Sequence, residues 1–155
     1  MIRSSSSHPP AEVDLSLVEV ISSGPLDIVE LLREAHHPAA GAVVLFSGEV
    51  RDHNKGKEVA YLEYEAYRPM AVRMIHEILA EAKEKWGLRI AIARHRIGRL
   101  GVGEPAVVVI TAAPHRREAY EANQHIIHRI KHEAPIWKCE YFSDGTHQWG
   151  NNCNC

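Results

Sequence analysis

Two lysines seven residues apart flank a proline in Lys131-His132-Glu133-Ala134-Pro135-Ile136-Trp137-Lys138-Cys139-Glu140. Pro135 cannot continue a helix and biases Ala134 toward extended geometry, so the backbone is expected to turn sharply there. Lys131 then closes a helix, Lys138 opens a strand, and the turn can aim both ammonium groups at one cavity. Neighbouring cations disfavour each other's charged form, which frees a neutral amine for base or nucleophilic chemistry. The plain alternative is a pair of solvated lysines complementing the negative end of a helix dipole.

Two further cationic features lie at element ends, where functional sites collect. Arg51 ends the apolar stretch Gly41–Val50, and a guanidinium on rigid backbone beside a loop suits planar recognition of an oxyanion. His115-Arg116 opens the last long helix, whose free N–H groups and dipole also favour an anion. Glu140 stands two residues after Lys138 on the same strand face and can orient it, while Cys139 points away. Together these residues describe a local cationic pocket.

The pocket must be local because the chain as a whole is nearly neutral. Its 155 residues carry a formal net charge of −2, with 45% hydrophobic and 25% charged residues, as expected of one globular domain. That balance gives no nucleic-acid surface, and no apolar run approaches the roughly 20 residues of a membrane span. Met1–Pro10 lacks the apolar core of a secretory signal and reads as a tail. Three cysteines without a framework pattern suit a reducing cytoplasm. The expected organisation is a flexible tail over 1–13, one catalytic domain over 14–149 and a second tail over 150–155 containing Cys153 and Cys155.

Periodicity supplies the elements that position the pocket. Strands are expected over Asp14–Ile21, Gly41–Val50, Glu58–Tyr67, Leu88–Ile97 and Ala106–Ala112, with a closing hairpin of Trp137–Phe142 and Thr146–Trp149 around Asp144-Gly145. Gly24-Pro25 opens a short helix with Leu26, Val29, Leu32 and Arg33 on one face. Pro69–Trp86 has helical apolar spacing and ends at Gly87, and a third helix runs from His115 to Glu133. The segment Arg51–Lys57 reads as a charged loop. The order predicts an α+β fold with a mixed, largely antiparallel sheet and three helices.

On the third helix, at about 100° per residue, Ala119, Tyr120, Asn123, Ile126, Ile127, Ile130 and Ala134 fall on one core arc. Arg116 falls inside that arc and Lys131 at its edge. His125, His128 and His132 share the opposite side, where a solvated face is favoured over a metal site. Gly98-Arg99-Leu100-Gly101-Val102-Gly103 lacks the following helix that a dinucleotide fingerprint requires.

Gly41-Ala42-Val43-Val44-Leu45-Phe46-Ser47-Gly48-Glu49-Val50-Arg51-Asp52-His53-Asn54, then His95-Arg96-Ile97-Gly98, then Pro114-His115-Arg116, and Lys131-x3-Pro135-x-Trp137-Lys138-x-Glu140, occur in that order. This spaced set closely resembles the large, catalytic subunits of molybdopterin synthase, over about Leu15–Trp149. The Ser-rich start and the Cys-x-Cys end depart from that pattern. The resemblance implies an α/β-hammerhead fold and a homodimer of large subunits, each binding a small ubiquitin-like sulfur-carrier subunit in a heterotetramer. The carrier's C-terminal Gly-Gly thiocarboxylate would transfer sulfur to cyclic pyranopterin monophosphate, and two transfers would build the dithiolene of molybdopterin. The catalytic residues implied are Lys131 and Lys138; Lys131 would activate sulfur, move protons or carry the acyl group. The substrate-binding set is Glu49, Val50, Arg51, His115, Arg116, Cys139 and Glu140, with no metal, no cofactor and no catalytic thiol. Three rival readings are a non-catalytic module that docks a ubiquitin-like tail, a small cyclic phosphoesterase and a histidine-rich metal carrier.

Overall fold

The computed structural model describes residues 19–151. The expected N-terminal tail, most of the expected strand Asp14–Ile21, and both Cys153 and Cys155 lie outside those residues.

Two sheets share one core. The first has the order β1-β5-β7-β2, built from β1 (Ile21–Ser22), β2 (Ala42–Glu49), β5 (Ile90–Arg96) and β7 (Pro105–Ala113). The β1–β5 pairing is parallel; β7 is antiparallel to both β5 and β2. The apolar run Ala106–Ala113 is buried throughout because this central strand is covered on both faces. On one face lie α2 (Arg68–Trp86) and α3 (Arg116–Glu133). Helix α2 turns Ala71, Ile75, Ile78 and Ala82 inward and stops at Gly87, left-handed at φ 60°. Helix α3 buries Ala119, Ala122, Asn123, Ile126 and Ile130. The Asn123 amide donates to the carbonyls of Val44 and Val109, each at 3.0 Å, which ties α3 to the first sheet.

The second sheet centres on β4 (Lys57–Ala66), with β8 (Ile136–Phe142) antiparallel on one side and β6 (Gly98–Gly101) on the other. It is extended by β3 (His53–Asn54) and β9 (His147–Asn151). Leu62, Tyr64, Leu100, Ile136 and Phe142 join the main core from this sheet. Three helices and nine strands are present among the described residues, so the expected mixed, largely antiparallel α+β architecture is the one observed.

Several local expectations are corrected. The charged loop Arg51–Lys57 contains β3 and a two-residue turn, with Lys55 and Gly56 at φ 50° and 77°, as a tight hairpin demands. The glycine-rich connector supplies β6, whose backbone pairs with Tyr61–Tyr64 although few of its side chains can signal a strand. Gly150 and Asn151 belong to β9 rather than to a tail. Helix α1 (Ile28–Arg33) starts later than Gly24-Pro25 because Asp27 caps it, accepting from the Glu30 N–H at 3.1 Å. Its inward residues are Leu31 and, just beyond it, Ala35, packed on Ile92, Val108 and Ile110, whereas Val29 is 63% exposed. On α3, Arg116 and Tyr120 are exposed: Arg116 lies in the first turn, ahead of Ala119, the first buried residue of the helix, and Tyr120 lies beyond the buried arc that Ala119, Asn123, Ile126 and Ile130 share.

Candidate functional site

The reversal at Pro135 is tight. Helix α3 ends at Glu133, Ala134 is extended at φ −70° and ψ 136°, and β8 begins at Ile136. The Tyr67 N–H donates to the Pro135 carbonyl at 3.1 Å and fixes the bend against the start of α2. Lys131 in the last helical turn and Lys138, the third residue of β8, line one cavity of about 310 Å³. The end of β2 adds Gly48, Glu49, Val50 and Arg51; β3 adds His53 and Asn54; β4 adds Tyr64; and Glu140 completes the β8 wall. At Gly48 an added Cβ would sit 2.8 Å from Val107 Cγ1 and 3.3 Å from Phe46 Cε1, so any side chain there would force these neighbours to shift.

The electrostatics follow from burial. Lys131 has its pKa lowered first by desolvation and then by the charge of Arg51. Lys138 is also lowered, again chiefly by burial, with Lys131 and Arg51 adding to it and Glu140 opposing. Neighbouring cations, the cause expected from the sequence, contribute at both lysines, but desolvation is the larger cause. Lys138 Nζ lies 3.4 Å from Glu140 Oε1, with side chains only 11% and 10% exposed. The Asn54 amide donates to both oxygens of the same carboxylate, at 2.8 and 2.7 Å. Burial, followed by the charge of Glu140, pushes the Tyr64 phenol up to about 12. Behind Tyr64, the His95 ring meets it edge-on with centroids 5.0 Å apart. His95 Nδ1 donates to the Arg96 carbonyl at 2.8 Å, and burial holds the imidazole neutral, with its pKa near 4.

The structure thus brings together Lys131, Lys138, Glu49, Val50, Arg51 and Glu140. It does not bring in Cys139, which is fully buried on the opposite face of β8, because successive strand residues alternate. Nor do His115 and Arg116 reach this cavity within one chain. Fifteen residues of α3 separate Arg116 from Lys131, about 22 Å of helix at about 1.5 Å per residue. Asn54, Tyr64 and His95 escape sequence reasoning as site residues. Asn54 reads as turn chemistry and Tyr64 as one member of an alternating strand; only the cross-strand register puts them beside Lys138 and Glu140.

The histidines of α3 sit apart from the cavity. His128 and His132 are exposed, with ring centroids 4.0 Å apart, and His132 Nδ1 donates to the His128 carbonyl. Among the described residues, no group of three or more His, Cys, Asp or Glu is arranged to hold a metal ion. The cavity offers a partly enclosed cationic wall, a carboxylate and two amines biased toward neutrality. Such a wall can bind an anion, stabilise charge that develops on it, and exchange protons with it.

Comparison with known proteins gives this chemistry its context. The model of the family described as MoaE protein matches residues 21–133. The molybdopterin synthase catalytic subunit of Bacillus subtilis (strain 168) is 46% identical over 129 residues, covering 83% of this chain and 82% of that one. The crystal structure of molybdopterin synthase from Staphylococcus aureus superposes with a TM-score of 0.80 at 40% identity, covering 86% of this chain and 96% of that one. A complex of subunits 1 and 2 of molybdopterin-converting factor from Helicobacter pylori 26695 aligns with a TM-score of 0.70 at 25% identity, covering 84% and 88%. The chain belongs to the MoaE protein family, that of the molybdopterin synthase catalytic subunits.

Proposed function

We propose that this cavity receives the C-terminal thiocarboxylate of a small ubiquitin-like carrier subunit and passes its sulfur to cyclic pyranopterin monophosphate. The observation that carries the reading is the convergence of Lys131, Lys138 and Arg51 on one cavity in a chain of net charge −2. Both the thiocarboxylate and the cyclic phosphate are anions, and the cleft is built for anions. In each transfer the carrier sulfur forms a bond to a pterin side-chain carbon in place of an oxygen substituent. The C–O bond of that substituent breaks, and it leaves as water or, where the cyclic phosphate opens, as the phosphate ester oxygen. Water then cleaves the acyl–sulfur bond, and the carrier leaves as a carboxylate. Lys131, whose ammonium form burial disfavours, accepts and returns the protons of these steps. Lys138 stabilises negative charge on the thiocarboxylate or on the opening phosphate, and Glu140 orients it. Glu49, Val50 and Arg51 border the same anion site, and Cys139 supplies backbone to the strand but no thiol.

The working unit in this reading is a heterotetramer around a homodimer of this chain. Strand β2 is the edge of the first sheet, and its Ala42 end lies beside Ala113 and Pro114. Antiparallel pairing of two β2 edges about a two-fold axis sets the Ala42 end of one copy against the Glu49 end of the other. The second copy's His115 and Arg116 then arrive at this copy's Arg51, supplying the cations that a single chain keeps remote. The domain that closes with β9 does this work in the cytoplasm, where thiols such as buried Cys139 stay reduced.

The deciding experiment mixes the purified chain with thiocarboxylated carrier and pterin precursor and assays dithiolene product. Product requiring both chain and carrier supports the reading. Opening of the cyclic phosphate without any carrier would instead establish a phosphoesterase.

A further inference from the structure

We propose that Asn54 is a positioning residue for Lys138, acting through Glu140: its amide holds both carboxylate oxygens and keeps the lysine–glutamate pair loose. The inference rests on the sulfur-transfer reading only for its catalytic consequence; the geometry stands by itself. The Asn54 contacts, at 2.8 and 2.7 Å, are short, whereas the Lys138 contact to the same carboxylate is 3.4 Å. A nearly buried carboxylate normally satisfies a cation before a neutral amide, since charge-assisted contacts are shorter and roughly twice as strong. Here the order is reversed.

Backbone geometry explains how. The β3–β4 turn places Lys55 and Gly56 at φ 50° and 77°, which locks Asn54 opposite Lys57. Asn54 therefore reaches Glu140 from a rigid hairpin 86 residues away in sequence. Asn54, Glu140 and Lys138 also form a shared wall between the main cavity and a smaller one of about 70 Å³ that Lys55 and Gln148 help to line. A side chain that moved Glu140 would thus alter both spaces.

The consequence is chemical. Lys138 shares its cavity with Glu140 on its own strand, Glu49 and Arg51 from the end of β2, His53 from β3, Tyr64 from β4 and Lys131 from α3; after burial, Glu140, Lys131 and Arg51 are the groups that act on its charge. Glu140 is the anion hydrogen-bonded to it. If Glu140 were free to close on the ammonium, Lys138 would become a tightly paired cation, unable to follow charge as it develops on a substrate. By sharing the carboxylate, Asn54 leaves the amine mobile and easier to deprotonate.

The test uses the full chain labelled with 13C at lysine Cε, with the Lys138 resonance assigned by Lys138→Arg. In Asn54→Leu, Lys138 should titrate about one pH unit higher than in the unaltered chain, because an opposite charge has moved closer. Asn54→Gln, which keeps an amide donor, should recover part of that shift. The rising limb of product formation should move with the titration, with KM for the precursor within about twofold of the unaltered value. An unchanged Lys138 titration in folded Asn54→Leu overturns the proposal. Should that variant not fold, Asn54→Ser, whose hydroxyl is too short to span the gap, is read by the same criteria. A moved titration in a chain that forms no product with the carrier supports the positioning role and defeats the sulfur-transfer reading instead.

Discussion

Tyr64 and Lys138 are register partners across the antiparallel β4–β8 ladder, so phenol and ammonium rise at the same level toward one cavity. Glu140, two residues on, adds to the burial that pushes the Tyr64 pKa up and opposes the lowering of Lys138. Glu140→Gln removes that single negative charge. The expected outcome is a Lys138 that loses its proton at lower pH, since burial and the two neighbouring cations then act unopposed. Lysine Cε chemical shifts followed against pH measure this; a titration that rises or stays in place contradicts the assigned ion pair.

Lys131 carries the principal catalytic assignment. Lys131→Ala should reduce product formation by at least about 100-fold, the usual scale for loss of a group that transfers protons. Binding of the carrier, measured by calorimetry, should change little. Near-normal turnover by this variant would falsify the role given to Lys131 and favour a module that only docks the carrier tail.

The two-fold arrangement at β2 makes a complementation prediction. Lys131→Ala and Arg116→Ala should each be inactive alone, because one lacks the amine and the other the remote cation. Mixed and re-annealed, half of the dimers are hybrids, each with one intact site, so activity should return to about one quarter of the unaltered level. No recovery, with hybrid dimers demonstrated by mass spectrometry, would place Arg116 outside the site.

Much of this arrangement is legible before folding is considered. The Pro135 bend is written in residue types, because proline acts locally on its own backbone and its predecessor. Asn123 is likewise placed inward by helical spacing and is found 4% exposed, holding two carbonyls. What sequence does not display is partnership across strands. Strand β6 forms because β4 offers an edge to Gly98–Gly101, a segment with little strand character of its own. Asn54 meets Glu140 only through the register of β3, β4 and β8. Arg116 misleads for a related reason: a wheel angle predicts burial only where something lies beneath the helix.

Asn123 itself supports a stability prediction. Its Nδ2 donates to Val44 and Val109 and lies 3.4 Å from Thr111 Oγ1, which in turn donates to the Ala119 carbonyl at 2.7 Å. Asn123→Leu fills the space but withdraws those donors from a buried site. The expected loss is about 2 kcal/mol, measured as a lower urea midpoint at unchanged slope. A variant as stable as the unaltered chain would mean that the carbonyls are satisfied without Asn123.

His95 predicts how stability depends on pH. Its folded pKa, near 4, lies below the ordinary 6.5 because the ring is wholly buried. An unfolded chain therefore binds a proton at His95 before the folded one does, and folding loses stability as pH falls through that interval. The contribution is fully present above about pH 6.5 and is lost progressively toward pH 4, amounting to about 3 kcal/mol at about 1.4 kcal/mol per unit. Replacing His95 by Gln, which keeps a donor for the Arg96 carbonyl, should flatten the decline of unfolding free energy between pH 6.5 and 4, even if the variant is less stable at pH 7. Urea unfolding at half-unit pH intervals reads the two slopes. Parallel curves for the two proteins would show that His95 is protonated without penalty in the folded state, and so is not the sealed neutral ring behind Tyr64.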